Sequence, residues 1–333
     1  MNTMNVERPG MLSTLQDSGR FGHQQYGVSV NGPMDEWSHR LANALVGNPE
    51  NAAVLECTLT GPRLSFSDTT LIALCGARMR VTADGRPIPY HRAVLVRRGV
   101  TIDVGERTDG ARLYIGVRGG LGTEPVLGSR STNVRAGFGG FQGRGLKKGD
   151  RIPILGVPRE MPMLPIERRM VQSGLPMILA GSADVNPPGR TAGVLRFIRG
   201  PQWEAFTTKA REDLESTAYE VTAQSDRMGA RLMGSALLLR APLELVSEAT
   251  PFGTVQVPPD GQPIVLMADR QSAGGYPKIA YVASADLPVL AQSLPGDSLR
   301  FIQVSQADAE IAWREFEERL ATARESAAAA LEQ

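Results

Sequence analysis

The sequence predicts a mainly β protein organised as two β-rich halves, and three observations carry that expectation. Short apolar runs recur at close intervals, glycine and proline punctuate them, and helical periodicity is confined to two stretches. Many strands with few helices between them argue for barrels or sandwiches, not a doubly wound parallel sheet. At 333 residues the chain exceeds what one core usually organises, so two domains are expected.

The first helix falls in "NGPMDEWSHRLANALVGNP", where Met34, Trp37, Leu41 and Leu45 recur at spacings of three and four. Pro33 suits its first turn, and Gly47 with Pro49 suits its exit. "LIALC" then leads through Gly76 and Ala77 to "MRVTA", after which Asp84-Gly85 supplies the positive φ angles of a tight hairpin. "AVLVRRGVTIDVGE" and "RLYIGV" continue the strand pattern. Between 155 and 190 periodicity fades among Pro158, Pro162, Pro165, Pro176, Pro187 and Pro188, which reads as the connection between halves. Strands resume with "GVLRFIRG", "LELVS", "GTVQV", "PIVLM", "KIAYV" and "SLRFIQV".

The last element, "ADAEIAWREFEERLATARESAAAALEQ", reads as a helix whose stripe of Trp313, Phe316, Leu320 and Ala323 docks on the body of the protein, a partner-binding helix being the alternative. Glu310 with Arg314 and Glu315 with Arg319 are favourable i,i+4 pairs along it. The predicted domains are 1–190, a β domain with the Pro-rich connection, and 191–333, a second β domain with the C-terminal helix. Each half closes on a Gly-Asp turn feeding a strand, "KKGDRIPI" and "LPGDSLRFI", a hint of duplication.

Composition bounds the function. Hydrophobic residues make up 42% and charged residues 21%, ordinary for a globular protein, and the formal net charge of +1 supplies no field for nucleic acid or an acidic membrane. Cys57 and Cys75 lie in apolar runs and read as reduced core thiols, while His23, His39 and His91 are scattered without metal-ligand spacing. The N-terminus carries no recognisable signal peptide and no apolar run is long enough to span a membrane, so a cytoplasmic protein is expected.

Three segments carry candidate chemistry. From Arg118 to Asp150 the chain is dense in glycine and offers Ser129, Arg130, Ser131, Thr132, Arg135, Arg144, Lys147 and Lys148. Glycine turns with hydroxyls and guanidinium groups suit an anion or substrate, and Ser129, Arg130 and Thr132 are the predicted contacts. A long loop is the competing account, and the segment has no GxxxxGK[ST] nucleotide motif. Near the start, Gln16, Asp17, Ser18, Arg20, His23 and Asp35 cluster without a GxSxG elbow, so capped turns explain them better than a hydrolase triad.

The third segment group lies in the second half, where "QSDRMGARLMG", "LVSEATPFGTVQVPPDG" and "DRQSAGGYPKIA" present Asp226, Arg227, Ser247, Glu248, Gln256, Asp269, Gln271, Ser272, Gly274, Gly275 and Tyr276. Amides and carboxylates fixed beside glycines suit a small, polar, planar amide or carboxylate. Structural pairing of Arg227 with an acid stands beside that reading.

Taken in order, "VERPGMLSTLQDSGRFGHQQYGV", "GPMDEWSHRLANALVGN", "VLECTLTGPRLSF", "GVRGG", "LGSRST", "GRGLKKGD", "SDRMGARLMG", "SEATPFGTVQVPPDGQPIVLMADRQSAGGYPKIAYV" and "AQSLPGDSLRF" resemble one family. It is the biotin-dependent carboxyltransferase family, also called allophanate hydrolase subunit 2 or kinase-inhibitor antagonist-like proteins, and the resemblance covers residues 6–305. It implies two cyclophilin-like β-barrel domains with a few helices. It also implies an allophanate hydrolase subunit 1-like partner and, in 5-oxoprolinase systems, a third, lactam-utilisation-type subunit.

The implied reaction is ATP-dependent hydrolysis of 5-oxo-L-proline to L-glutamate by the complex, with this chain inactive alone and ATP not assigned to it. No "MKM" occurs, so the chain carries no biotin of its own. A carboxyltransferase component of a urea carboxylase/allophanate-type system, served by a separate biotinylated carrier, remains open. So does a non-catalytic antagonist of a histidine-kinase inhibitor.

In the resembling family, D-Q-GGYP after QVP-DG-PI marks the second barrel. The resemblance implies that Gly274 and Gly275 admit the substrate's polar edge, Gln256 and Gln271 hydrogen-bond an amide, and Tyr276 walls it. Asp269 or Glu248 is the proton-transfer candidate, a role that requires a raised pKa. No protein-held metal is expected.

Overall fold

In the computed structural model, residues 2–156, 164–173, 175–180 and 193–332 are described. Pro158, Pro162, Pro187, Pro188 and the expected junction at 190 lie outside them. The chain divides into two compact units, one of Met1–Arg20, Asp35–Pro187 and Arg319–Gln333, the other of Phe21–Met34 and Pro188–Glu318. The sequence expectation was of two consecutive stretches; the units instead interleave at Phe21–Met34 and Arg319–Gln333.

The first unit holds β1 (Thr3–Arg8), β2 (Leu12–Gln16), β3 (Val54–Thr58), β4 (Arg63–Phe66), β5 (Thr70–Ala83), β6 (Arg86–Pro87), β7 (Ala93–Val96), β8 (Ile102–Val117), β9 (Arg151–Pro153) and β10 (Met177–Leu179). They form one ten-stranded sheet ordered β10-β7-β5-β8-β4-β1-β9, with β2 and β3 branching from β8 and β6 from β5. "LIALC" and "MRVTA" are a single strand, β5, because register shifts beside Gly76 carry the chain through without a turn. Asp84 and Gly85 take φ of 44° and 81°, the tight turn expected.

The helix α1 (Glu36–Leu45) covers this sheet so closely that a Cβ on Gly116 of β8 would lie 2.4 Å from the Ala42 carbonyl oxygen. Asp35 caps α1 by accepting from the Ser38 backbone N–H at 3.0 Å, which places Pro33 before the helix, not inside it. Leu55, Leu64, Ile72, Leu74, Val94, Ile102 and Leu113 are fully buried in the core, and Cys57 and Cys75 are buried free thiols. The Pro-rich segment read as the connection between halves contributes α2 (Pro165–Ser173) and β10, which pairs with β7.

The second unit contains β11 (Val194–Arg199), β12 (Ala218–Val221), β13 (Gly229–Met233), β14 (Glu248–Ala249), β15 (Thr254–Gln256), β16 (Ile264–Leu266), β17 (Ala273–Gly274), β18 (Lys278–Val282) and β19 (Ser298–Gln303). Seven of these close a barrel in the order β11-β18-β15-β16-β13-β12-β19, sealed by the parallel pair β19 and β11. Closure removes exposed strand edges. Phe197, Tyr219 and Phe301 fill the barrel, with Phe301 edge-on to the other two at 6.2 and 5.9 Å between ring centroids.

Two short helices, α3 (Thr208–Ser216) and α4 (Leu287–Gln292), escaped the periodicity reading because each is too brief to show a stripe. The "LELVS" run is not a strand. Residues 243–247 are an irregular, largely exposed segment, and the pairing begins only at Glu248, in a ribbon of β14 with β17. Beyond the barrel runs α5 (Gln306–Glu332), whose stripe buries Phe316, Leu320, Ala323 and Ala327 while Trp313 stacks half-exposed on Phe316 at 4.9 Å.

The Gly-Asp turns repeat in detail. Val6 N donates to Asp150 O at 2.9 Å and Gly149 N to Val6 O at 2.8 Å; Val221 N donates to Asp297 O at 2.9 Å and Gly296 N to Val221 O at 2.8 Å. Both glycines take φ near +90°, at 91° and 92°. The same local solution in each unit supports an internal duplication.

Candidate functional site

The predicted site residues fall into two groups, one in each unit. In the first unit, Asp17 organises the "LGSRST" segment. Its Oδ1 accepts from Ser129 Oγ at 2.6 Å, Ser131 Oγ at 2.7 Å and Gly19 N at 2.9 Å, and its Oδ2 accepts from the Arg130 backbone N–H. Thr132 Oγ1 donates to Leu15 O at 3.0 Å, and Arg130 Nε to Thr123 O at 2.8 Å. Arg20, buried, donates to Ser131 O and lies over the Phe138 ring at 4.8 Å. The hydroxyls expected to face an anion are thus spent within the chain, those of Ser129 and Ser131 on the Asp17 carboxylate and that of Thr132 on the Leu15 carbonyl.

Burial pushes the Asp17 carboxyl up, but its four hydrogen bonds outweigh this and hold it below the usual range. Nearby His39 on α1 is fully buried, and desolvation lowers its pKa from 6.5 to about 4. As pH falls from 6.5 toward 4, the unfolded chain takes up a proton that the folded imidazole refuses, so stability is lost over that window. The loss expected from His39 is about 3 kcal/mol. Urea titrations at stepped pH should show it, and His39→Gln should flatten the slope; an unchanged slope in the variant would refute the assignment.

The second group gathers on the barrel. Gln256 ends β15 and Lys278 begins β18 directly opposite it, and Gln202, just after β11, accepts from Lys278 N at 3.0 Å. Over this end lies the β14–β17 ribbon, in which Glu248 faces Gly274 in register. A Cβ on Gly274 would sit 2.6 Å from both Gln256 Nε2 and Gln271 Nε2. Two primary amides therefore converge on Gly274, and a side chain there would have to push them aside. Thr250 fixes the loop by donating from Oγ1 to Gln271 O at 2.6 Å and from N to Ser272 O at 3.1 Å.

Gly275 and Tyr276 follow, exposed, and line an apolar cleft of about 650 Å³ whose other walls include Leu237, Leu243, Leu245, Val257 and Pro277. That volume suits a small molecule. A larger hollow of about 870 Å³ beside Phe252, Tyr281 and Trp313 includes none of the predicted residues.

The proton-transfer candidates sit in different surroundings from those expected. Glu248 is half-exposed, and its Oε2 accepts from Lys278 Nζ at 2.8 Å and Gln202 Nε2 at 3.3 Å. The Lys278 hydrogen bond, with lesser help from Gln202, holds its carboxyl below the usual range. The raised pKa that proton abstraction requires is not found there. Asp269 is buried, and Arg227 grips it through Nε to Oδ2 at 3.0 Å and Nη2 to Oδ1 at 3.1 Å. Asn31 Nδ2 adds 2.7 Å to Oδ1, and Arg227 Nη2 also donates to Gly32 O at 2.6 Å. Both carboxylate oxygens are engaged, so Asp269 and Arg227 hold the 21–34 segment to the signature loop.

The fold brings the predicted Glu248, Gln256, Gln271, Gly274, Gly275 and Tyr276 together. Lys278, Gln202, Thr250 and Asn31, which were not among the predicted residues, contact them or the loop that carries them. A lysine heading the apolar strand "KIAYV" was the available signal for the first. Among the described residues, no group of three or more His, Cys, Asp and Glu side chains could hold a metal, and no helix is long and apolar enough to cross a membrane.

Residues 26–303 match the model of a family described as "Carboxyltransferase domain, subdomain A and B". The chain is 36% identical to the C subunit of the 5-oxoprolinase of Escherichia coli over 306 residues, 92% of this chain and 93% of that protein. It is 37% identical to the corresponding 5-oxoprolinase protein of Haemophilus influenzae, over 89% of this chain and 90% of the other. Among solved structures, the urea amidolyase of K. lactis superposes with a TM-score of 0.84 at 30% identity, covering 96% of this chain but 20% of that one.

Proposed function

The chain belongs to the family of carboxyltransferase domains with subdomains A and B, and on that premise we propose that it is a subunit of an ATP-dependent 5-oxoprolinase complex that hydrolyses 5-oxo-L-proline to L-glutamate. The observation that carries this reading is reciprocal coverage. The match takes in 93% and 90% of the two 5-oxoprolinase relatives, against 20% of the urea amidolyase chain.

The site geometry supports it. A lactam presents one N–H and one C=O on a planar edge, and the side-chain amides of Gln256 and Gln271 offer both donors and acceptors at matching reach. Gly274 lets both amides come close to the backbone of the loop, and Tyr276 with the adjoining apolar cleft shelters the ring methylenes. Arg227 and Asp269 act as positioning residues that fix the loop carrying Gln271. Glu248 belongs to the polar rim with Lys278.

An unstrained lactam resists water, and ATP supplies the activation of its carbonyl when present. The hydroxyl-rich segment of the first unit does not fit a triphosphate, since Ser129, Ser131 and Thr132 are committed to Asp17 and Leu15. On this reading ATP is held by a partner subunit, and the proposed partners are an allophanate hydrolase subunit 1-like protein and a lactam-utilisation-type protein.

The structural likeness to urea amidolyase favours a second reading, a carboxyltransferase component served by a separate biotinylated carrier. One assay separates the two. The co-purified complex should release glutamate from 5-oxo-L-proline with ATP, and stop when this chain is omitted. Activity that instead depends on a biotinylated carrier and is abolished by avidin would replace the lactamase reading with the second.

A further inference from the structure

Lys278 is the most deeply buried cation of the site, at 1% side-chain exposure, and it is fixed. Its strand position opposite Gln256 and the bond from its N–H to Gln202 Oε1 at 3.0 Å leave the backbone no play. Its ammonium has three donors, and among the described residues its Nζ has one partner, Glu248 Oε2 at 2.8 Å. Among the described residues, two donors of this buried ammonium have no protein acceptor and can take an incoming carboxylate.

The partner is as free as the lysine is fixed. Glu248 is 47% exposed and stands on a ribbon with two residues in each strand. It follows an irregular segment in which Val246 is 87% exposed. A side-chain rotation takes its carboxylate into water without disturbing the barrel. Gln202, the other donor to Glu248, reaches it at 3.3 Å, a weak hold.

We propose that Lys278 is the carboxylate-holding group of the site and that Glu248 is a resident stand-in, displaced when the carboxylate of a substrate arrives. The inference rests on the lactam reading above and deepens it by naming the group that holds the substrate's carboxylate. Gln256 and Lys278 are direct cross-strand neighbours, whose Cβ atoms lie about 5 Å apart in such pairs. A five-membered lactam with a carboxylate on the ring spans that interval, its amide on the glutamines and its carboxylate on the ammonium.

The test is a set of titrations on the full-length chain at constant ionic strength, using acetate, 5-oxo-L-proline and 2-pyrrolidinone, which lacks the carboxylate. Glu248→Gln removes the competing charge from an exposed position and should bind acetate and 5-oxo-L-proline about tenfold tighter than the wild type. Lys278→Met should lose both while binding 2-pyrrolidinone as the wild type does. Because that variant leaves a cavity-lining strand altered, Lys278→Arg serves beside it and should retain carboxylate binding. Acetate binding no tighter in Glu248→Gln than in the wild type, or unchanged in Lys278→Met, overturns the proposal. If acetate behaves as expected but 5-oxo-L-proline binds no better than acetate, the carboxylate site stands and the lactam reading falls. If 5-oxo-L-proline binds the wild type and Lys278→Met equally, the reverse holds.

Discussion

Gln271→Ala, assayed in the assembled complex, should lower kcat/KM for 5-oxo-L-proline about 100-fold, the usual cost of losing one aligned polar group at a reacting amide. Gln271 is exposed, so its truncation leaves the barrel core untouched and the effect reads out on chemistry or binding alone. Gly274→Ala provides the companion result. Its new methyl would stand 2.6 Å from both amide nitrogens and push them aside, so a comparable loss is expected although neither glutamine has changed. Wild-type rates in both variants, with the complex intact by gel filtration, would remove the two amides from the mechanism.

The second large effect is on stability. Arg227→Met leaves the buried Asp269 carboxyl group without its bidentate partner, and should cost the second unit about 3–5 kcal/mol. Hydrogen exchange would localise that loss. Protection should fall at 269–277 and across Phe21–Met34, because Asn31 and Gly32 are held through the same two residues. Replacing both partners, Arg227→Met with Asp269→Leu, should recover much of the stability, since the penalty lies in the stranded carboxyl group and not in the missing attraction. An Arg227→Met protein within about 0.5 kcal/mol of the wild type, the range of an inconsequential surface change, would show that the pair bears no structural load.

The two results separate roles that one stretch of sequence merges. Within nine residues, Asp269 to Pro277, the chain supplies a buried clamp at one end and an amide-lined glycine edge at the other. Residue type alone invites a catalytic role for the aspartate, since a carboxylate beside glycines is what a proton-transfer site needs. What surrounds it comes from far along the chain: Arg227 and Asn31 lie 42 and 238 residues away and hydrogen-bond both oxygens. Glu248 makes the same point from the other direction. An acid on a polar loop could titrate anywhere, and the buried ammonium beneath it holds its carboxyl down.

Much was nonetheless fixed locally. Strand density, the Asp84-Gly85 hairpin, the Asp35-capped helix and the paired Gly-Asp turns follow from periodicity, φ preferences and short-range hydrogen bonding, and each can be read where it stands in the chain. The family too was legible, because its motifs are contiguous strings in a fixed order. What the sequence could not determine is which polar groups meet. "LELVS" looks like a strand, yet its neighbours pair elsewhere and leave it lining a cleft. "LGSRST" looks like an anion cradle, yet Asp17, 112 residues upstream of Ser129, fills it. Lys278 looks like an ordinary strand terminus, yet barrel closure buries it under Glu248 and beside Gln256. Hydrogen-bond capacity is a property of a residue, but its satisfaction is a property of long-range packing, and only the tertiary structure distributes it.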